Sequence, residues 1–112
     1  LGDRKAADCR LTVSLSIIVR DEAEQDILEA SRWYEDRAMG LGLEFIRSVD
    51  TCLLQISRAP ALGPVVFRDA RMTLLRRFPY LVIYKVFEDY ISVVAVMQGN
   101  RHPRRWKSRL PK

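Results

Sequence analysis

Between Pro60 and Pro64 the hydrophobic rhythm of this chain changes from the period of a helix to the period of a strand. Before the change, Ala23, Ile27, Ala30 and Tyr34 recur at i, i+4, i+7 and i+11, one stripe of an amphipathic helix. A capping-box-like pair, Asp21 and Glu24, opens that helix, and Gly40 and Gly42 end it. A second stripe runs through Phe45, Val49, Cys52 or Leu53, and Ile56, and closes at Ala59-Pro60. So short a connection predicts an antiparallel helical hairpin. Ahead of it, Leu11–Arg20 alternates apolar Leu11, Val13, Leu15 and Ile17 with Thr12, Ser14 and Ser16, a strand with one face in a core. After residue 64 the period is two. Residues near Val65–Phe67 begin a strand that Met72–Phe78 continues or replaces; Tyr80–Phe87 and Ile91–Met97 follow, joined by a turn at Glu88–Tyr90. The order β-α-α-β-β-β predicts an α+β domain, a helical hairpin packed on an antiparallel sheet.

The last strands carry an anomaly. In Tyr80–Phe87 one parity is Tyr80, Val82, Tyr84, Val86, and the other is Leu81, Ile83, Lys85, Phe87. A sheet with a solvated face alternates apolar with polar, and here both faces are greasy. Two helices of this length cover one face. The other is covered either by the chain's own C-terminal segment or the flank of the first strand, or by another protein chain, because large exposed apolar patches mark interaction sites.

Charge is divided along the chain. The total is +5, but residues 1–60 carry 8 Lys/Arg against 11 Asp/Glu, whereas residues 61–112 carry 11 against 3. The basic character therefore belongs to the second half, and Arg101, Arg104, Arg105, Lys107, Arg109 and Lys112 fall within the last twelve residues. With Pro103 and Trp106 among them, these cations form a candidate binding surface for a polyanion or another target. Residues 1–10 are expected to be a flexible leader, and 11–112 a single domain. No apolar run reaches the ~20 residues of a membrane span, so no membrane association is expected. Cys9 and Cys52 stand far from each other and from His102; neither metal nor cofactor is expected, and a reducing cytoplasmic setting is the simpler reading.

Several segments, in order and over about 85 residues, resemble one family. They are Ala30-Ser31-Arg32-Trp33-Tyr34-Glu35, Gly40-Leu41-Gly42-Leu43-Glu44-Phe45, Arg76-Arg77-Phe78-Pro79-Tyr80, Ile83-Tyr84, Ala95-Val96, and Arg101-x-Pro103-x-x-Trp106. Together they are similar to the RelE/ParE toxins of bacterial type II toxin–antitoxin (plasmid-stabilisation) systems. The resemblance implies a cognate antitoxin that wraps the toxin, with Tyr80, Val82, Tyr84 and Val86 as candidate antitoxin contacts, and operator DNA reached through the antitoxin. It also implies one of two targets: DNA gyrase, inhibited by protein–protein binding, or mRNA cut in the ribosome. The chain departs from the family where those targets divide. Gln98 stands where a histidine commonly closes the last strand, His102 where an acidic residue precedes the proline, and Trp106 is the nearest aromatic to a tyrosine carried by the nucleases.

RNA cleavage through the 2′-OH needs a base, an acid and cations for the developing charge. Lys85, Arg76, Arg101 and His102 are the candidates if this is a nuclease. Arg77, Arg101, Arg104, Arg105, Trp106 and Lys107 are the candidates for holding nucleic acid or a protein target, with Trp106 either stacking on a base or packing its indole against the sheet. Three readings stay open: a gyrase inhibitor, which the loss of the histidine and tyrosine favours; an endoribonuclease; and a non-toxic member acting only within an antitoxin–operator complex.

Overall fold

Each of the two apolar stripes becomes a helix, and the period-two half becomes a sheet. The computed structural model of the chain describes residues 15–99 and 104–110. Strand β1 (Ser16–Val19) is followed by helices α1 (Asp21–Arg37) and α2 (Leu41–Arg58). Strands β2 (Val65–Phe67), β3 (Ala70–Leu74), β4 (Tyr80–Val86) and β5 (Tyr90–Gln98) come next, and a single helical turn, α3 (Arg104–Lys107), closes the described chain. The sheet order is β1-β5-β4-β3-β2. Its pairs are antiparallel except β1 with β5, which is parallel. The α+β class and helical hairpin are as expected; the added strand is β2, a short partner for β3. No helix among the described residues is long and apolar enough to cross a membrane.

Local chemistry sets the ends of the hairpin differently from the expectation. Asp21 is the first helical residue, not the cap: Arg20 occupies the N-cap without a side-chain bond, and Asp21, Glu22 and Glu24 place negative charge in the first turn, where the helix dipole favours it. The start of α2 is capped from the preceding helix. Glu35 accepts the Gly40 N–H at 3.0 Å and the Gly42 N–H at 3.0 Å, satisfying orphan donors at the α2 N-terminus. Gly40 has φ 86°, a left-handed value suited to glycine. Gly42 serves contact: a Cβ there would stand 2.6 Å from the Ser31 carbonyl oxygen, so the two helices approach closely only with glycine.

The hairpin lies on one sheet face. Phe45, Val49, Cys52 and Ile56 of α2 and Ala23 and Ala30 of α1 pack against Tyr80, Val82, Tyr84, Ile91, Val93 and Val96. Phe45 lies 5.2 Å from Phe78 and 5.0 Å from Tyr80 between ring centroids, both edge-on, as aromatic quadrupoles favour. Tyr84 donates its hydroxyl to the Pro60 carbonyl at 2.9 Å and accepts the Gly63 N–H at 3.0 Å, fixing the loop at which the period changes. Leu15 and Ile17 of the first strand's apolar parity do face this core, whereas residues 11–14 lie outside the described residues. The strand expected over Met72–Phe78 stops at Leu74. Leu75 bonds back to Tyr80, and Phe78 folds into the core from the intervening loop.

The greasy second face has a cover within the chain. Trp106 and Leu110, 7% and 9% exposed, pack over Ala70, Ile83, Val94, Ala95 and Met97. Much of the surface for which another protein chain was one expected cover is thus occupied by the C-terminal segment. A bulge explains why both parities of β5 are apolar. Ile83 pairs with Ala95 but Tyr84 pairs with Val93, so Val94 is an extra residue and the inward parity shifts across it.

Candidate functional site

Strand β1 is shorter than its neighbour, and that shortness builds the first candidate surface. The last β1–β5 contact is the Arg20 N–H donated to the Val93 carbonyl at 3.1 Å, after which the chain turns into α1. Among the described residues no strand lies beside the outer edge of β5 from Val94 to Gln98. Side chains stand there instead. Asp26 of α1 accepts the Val96 N–H at 3.0 Å, and Arg109 donates to the Val94 carbonyl at 3.1 Å. The two charges pair at 2.7 Å and again at 3.2 Å, a bidentate contact. Arg20 donates to the Arg109 carbonyl at 3.2 Å. This network ties the C-terminal segment to β5 and α1.

Beside it a groove of about 380 Å³ opens between α1 and the ends of β4 and β5, lined by Asp26, Glu29, Ala30, Trp33, Tyr80, Val96, Met97 and Gln98. Trp33 is 47% exposed, and Arg37 lies 4.0 Å from its ring centroid. The groove thus combines an aromatic wall, a carboxylate at Glu29 and the amide of Gln98. Neither Asp26 nor Glu29 was singled out by sequence reasoning. A carboxylate facing a strand edge 70 residues away leaves no local signal.

The candidate antitoxin contacts Tyr80, Val82 and Tyr84 lie in the core. They are 8%, 0% and 0% exposed because theirs is the parity that α1 and α2 cover, and Val86 packs at the margin of the same core. Only Tyr80 also reaches the groove.

The cations divide between two ends and two faces. At the β3–β4 loop Arg77 bonds Glu44 of α2 at 2.9 Å, and Arg76 is exposed beside it. At the far end of β4, Lys85 belongs to the opposite face, with its ammonium 4.0 Å from Asp69 and 5.1 Å from the centroid of Phe87. Lys107 and Arg104 lie on α3, where Arg104 is exposed. Lys107 sits 4.6 Å from the centroid of Phe67, while Arg68 sits 4.9 Å from the same ring. Of the two readings of Trp106, target contact and packing against the sheet, the structure has the second: it is buried and edge-on to Phe67. Arg101, His102 and the side chain of Arg105 lie outside the described residues. Among the described residues no three His, Cys, Asp or Glu gather as metal ligands. Burial pushes the Cys52 thiol up to about 11 and raises the Tyr34 phenol, so both stay protonated at neutral pH.

Comparison with known proteins adds three findings. A family model described as "ParE toxin of type II toxin-antitoxin system, parDE" matches residues 17–103. The chain is 30% identical over 86 residues to "Toxin ParE2" of Mycobacterium tuberculosis (strain H37Rv), spanning 76% of this chain and 82% of that protein. The ParE2 of strain CDC 1551 gives the same figures. Among solved structures, one titled "Chromosomal ParDE TA system from P. aeruginosa" superposes with a TM-score of 0.57 at 14% identity, covering 76% of this chain and 96% of that one. At that identity the likeness establishes a shared fold.

Proposed function

Because the chain belongs to the ParE toxin family of type II toxin–antitoxin systems, we propose that it is a toxin acting by protein–protein inhibition of DNA gyrase, held silent by a cognate antitoxin. The observation that carries this over RNA cleavage is the separation of Lys85 from Arg76, the two catalytic candidates among the described residues. Lys85 stands five residues along β4 from Tyr80, roughly 16 Å at ~3.3 Å per residue from the end where Arg76 and Arg77 leave. Arg77 reaches Glu44 on the helical side, while Lys85 reaches Asp69 across the other face. In-line phosphoryl chemistry needs its acid, base and charge stabiliser around one atom. Cations spread over two faces suit a broad protein contact better.

The antitoxin's seat in this reading is the groove between α1 and the free end of β5. An extended segment there gains side-chain contacts from Trp33, Tyr80 and Gln98, beside a stretch of β5 whose Val94 carbonyl and Val96 N–H are held by Arg109 and Asp26. Glu29 favours a segment that brings a lysine or arginine.

The test is supercoiling of relaxed plasmid by purified gyrase with this chain titrated in, and then with antitoxin added. Inhibition that antitoxin reverses is the expected result. Full gyrase activity at a large molar excess of folded toxin refutes the proposal.

A further inference from the structure

The link between β2 and β3 contains a residue in the wrong conformation for its type. Phe67 pairs with Ala70, so Arg68 and Asp69 form a two-residue hairpin loop. Arg68 has φ 53°, and among the described residues no other non-glycine has a positive φ. Positive φ at the first linking position and not the second is the pattern of a II′ turn, which favours glycine there. An arginine held in a strained conformation at an exposed tip points to a use for its side chain.

What that side chain does is visible. Its guanidinium lies 4.9 Å from the centroid of Phe67, and the ammonium of Lys107 lies 4.6 Å from the same ring. Two cations from segments far apart in the chain share one phenyl platform, whose quadrupole attracts each while they repel one another. Trp106, buried and edge-on to Phe67, props the platform from below. Lys85 pairs across the sheet with Ala70, the partner of Phe67. The one carboxylate of the loop, Asp69, has an 82% exposed side chain and reaches Lys85 only at 4.0 Å. Among the described residues Arg68 and Lys107 contact aromatic rings and no carboxylate.

We propose that Arg68 and Lys107, seated on Phe67, form a docking site for the phosphate backbone of double-stranded DNA. Phosphate fits because it relieves the repulsion between the two cations and accepts the planar fork of arginine. The duplex is favoured over single strands because the aromatic surface is already engaged. Phe67 carries the cations and Trp106 is buried, which leaves bases without a platform to stack on. The site lies on the sheet face opposite the helices.

The experiment is fluorescence anisotropy of a labelled duplex with the purified full chain, in salt from about 50 to 200 mM. The wild type is expected to bind with an affinity that falls steeply with salt. The variant R68G/K107Q removes both charges while giving the turn the residue it favours, so circular dichroism should be unchanged. Its log–log salt slope should be shallower by about 1.8, at ~0.9 per phosphate, and its affinity at 0.1 M salt lower by roughly 60-fold. Arg32→Ala, on the exposed surface of α1, should alter neither. Three results overturn the site: no duplex binding by the wild type, an unchanged slope in the double variant, or tighter binding of single-stranded RNA than of duplex. Because gyrase is absent, failure here leaves the supercoiling result untouched.

Discussion

Replacing Asp26 by alanine removes a group with three tasks. Its carboxylate pairs bidentately with Arg109, satisfies the Val96 N–H, and occupies the open edge of β5. The two side chains are 15% and 18% exposed, too buried for water to replace the lost partner fully. Breaking such a pair from one side costs about 3–5 kcal/mol. The Val94 carbonyl still accepts from Arg109, which argues for the lower end, and the orphaned Val96 N–H adds about 1 kcal/mol. An expected loss of about 3–4 kcal/mol is a large part of the stability of a domain this size. In urea, with a slope near 1.5 kcal/mol per molar, the midpoint should fall by about 2 M. Trp106 reports whether the C-terminal segment leaves first. In a Trp33→Phe background it is the remaining tryptophan, and its emission should shift red before far-UV ellipticity falls. The double-mutant cycle decides the reasoning: Asp26→Ala and Arg109→Ala should couple by about 2 kcal/mol, the double variant being more stable than their sum predicts. Additivity within about 0.5 kcal/mol would refute the claim that this pair anchors the segment.

Two further outcomes follow from local geometry. Gly42→Ala puts a methyl 2.6 Å from the Ser31 carbonyl and should cost about 2–3 kcal/mol, more than Gly40→Ala, which meets open space and pays only for its positive φ; denaturation midpoints in the reverse order would contradict the packing. The Cys52 thiol is held up at about 11 against 9.0 when free, so the unfolded chain ionises first, and stability should fall as pH rises from 9 towards 11. The Cys52→Ala variant should lack that component of the fall, and a pH profile identical to the wild type would exclude the thiol as its source.

Most of the architecture was legible because it is written in period. Ala23, Ala30 and Tyr34 mark α1, Phe45, Val49 and Ile56 mark α2, and each faces the core as its stripe requires. Two features were not legible. The apolar parities of β5 read as a sheet needing two covers, and nothing local shows that Val94 is an inserted bulge or that Trp106 supplies the second cover from the chain itself. The β2–β3 hairpin was missed because Arg68-Asp69 is not an Asn-Gly-type turn signature. The candidate sites were less legible still. Residue type identified Lys85, Arg77 and Lys107 as cations, but their faces depend on register. Burial of Tyr80, Val82 and Tyr84 follows from which parity the helices choose. Asp26 and Arg109 meet across 83 residues, a pairing that only the fold creates.

As a member of the toxin family, the chain is proposed to act on gyrase through protein contact and not to cut RNA. Induced expression in bacteria without the antitoxin, with total mRNA integrity and plasmid supercoiling read from the same culture, separates the two activities. Growth arrest with intact mRNA and disturbed supercoiling is the predicted result. Arrest with cleaved mRNA and normal supercoiling would contradict it, and would place the chemistry on cations that the fold sets at opposite ends of β4.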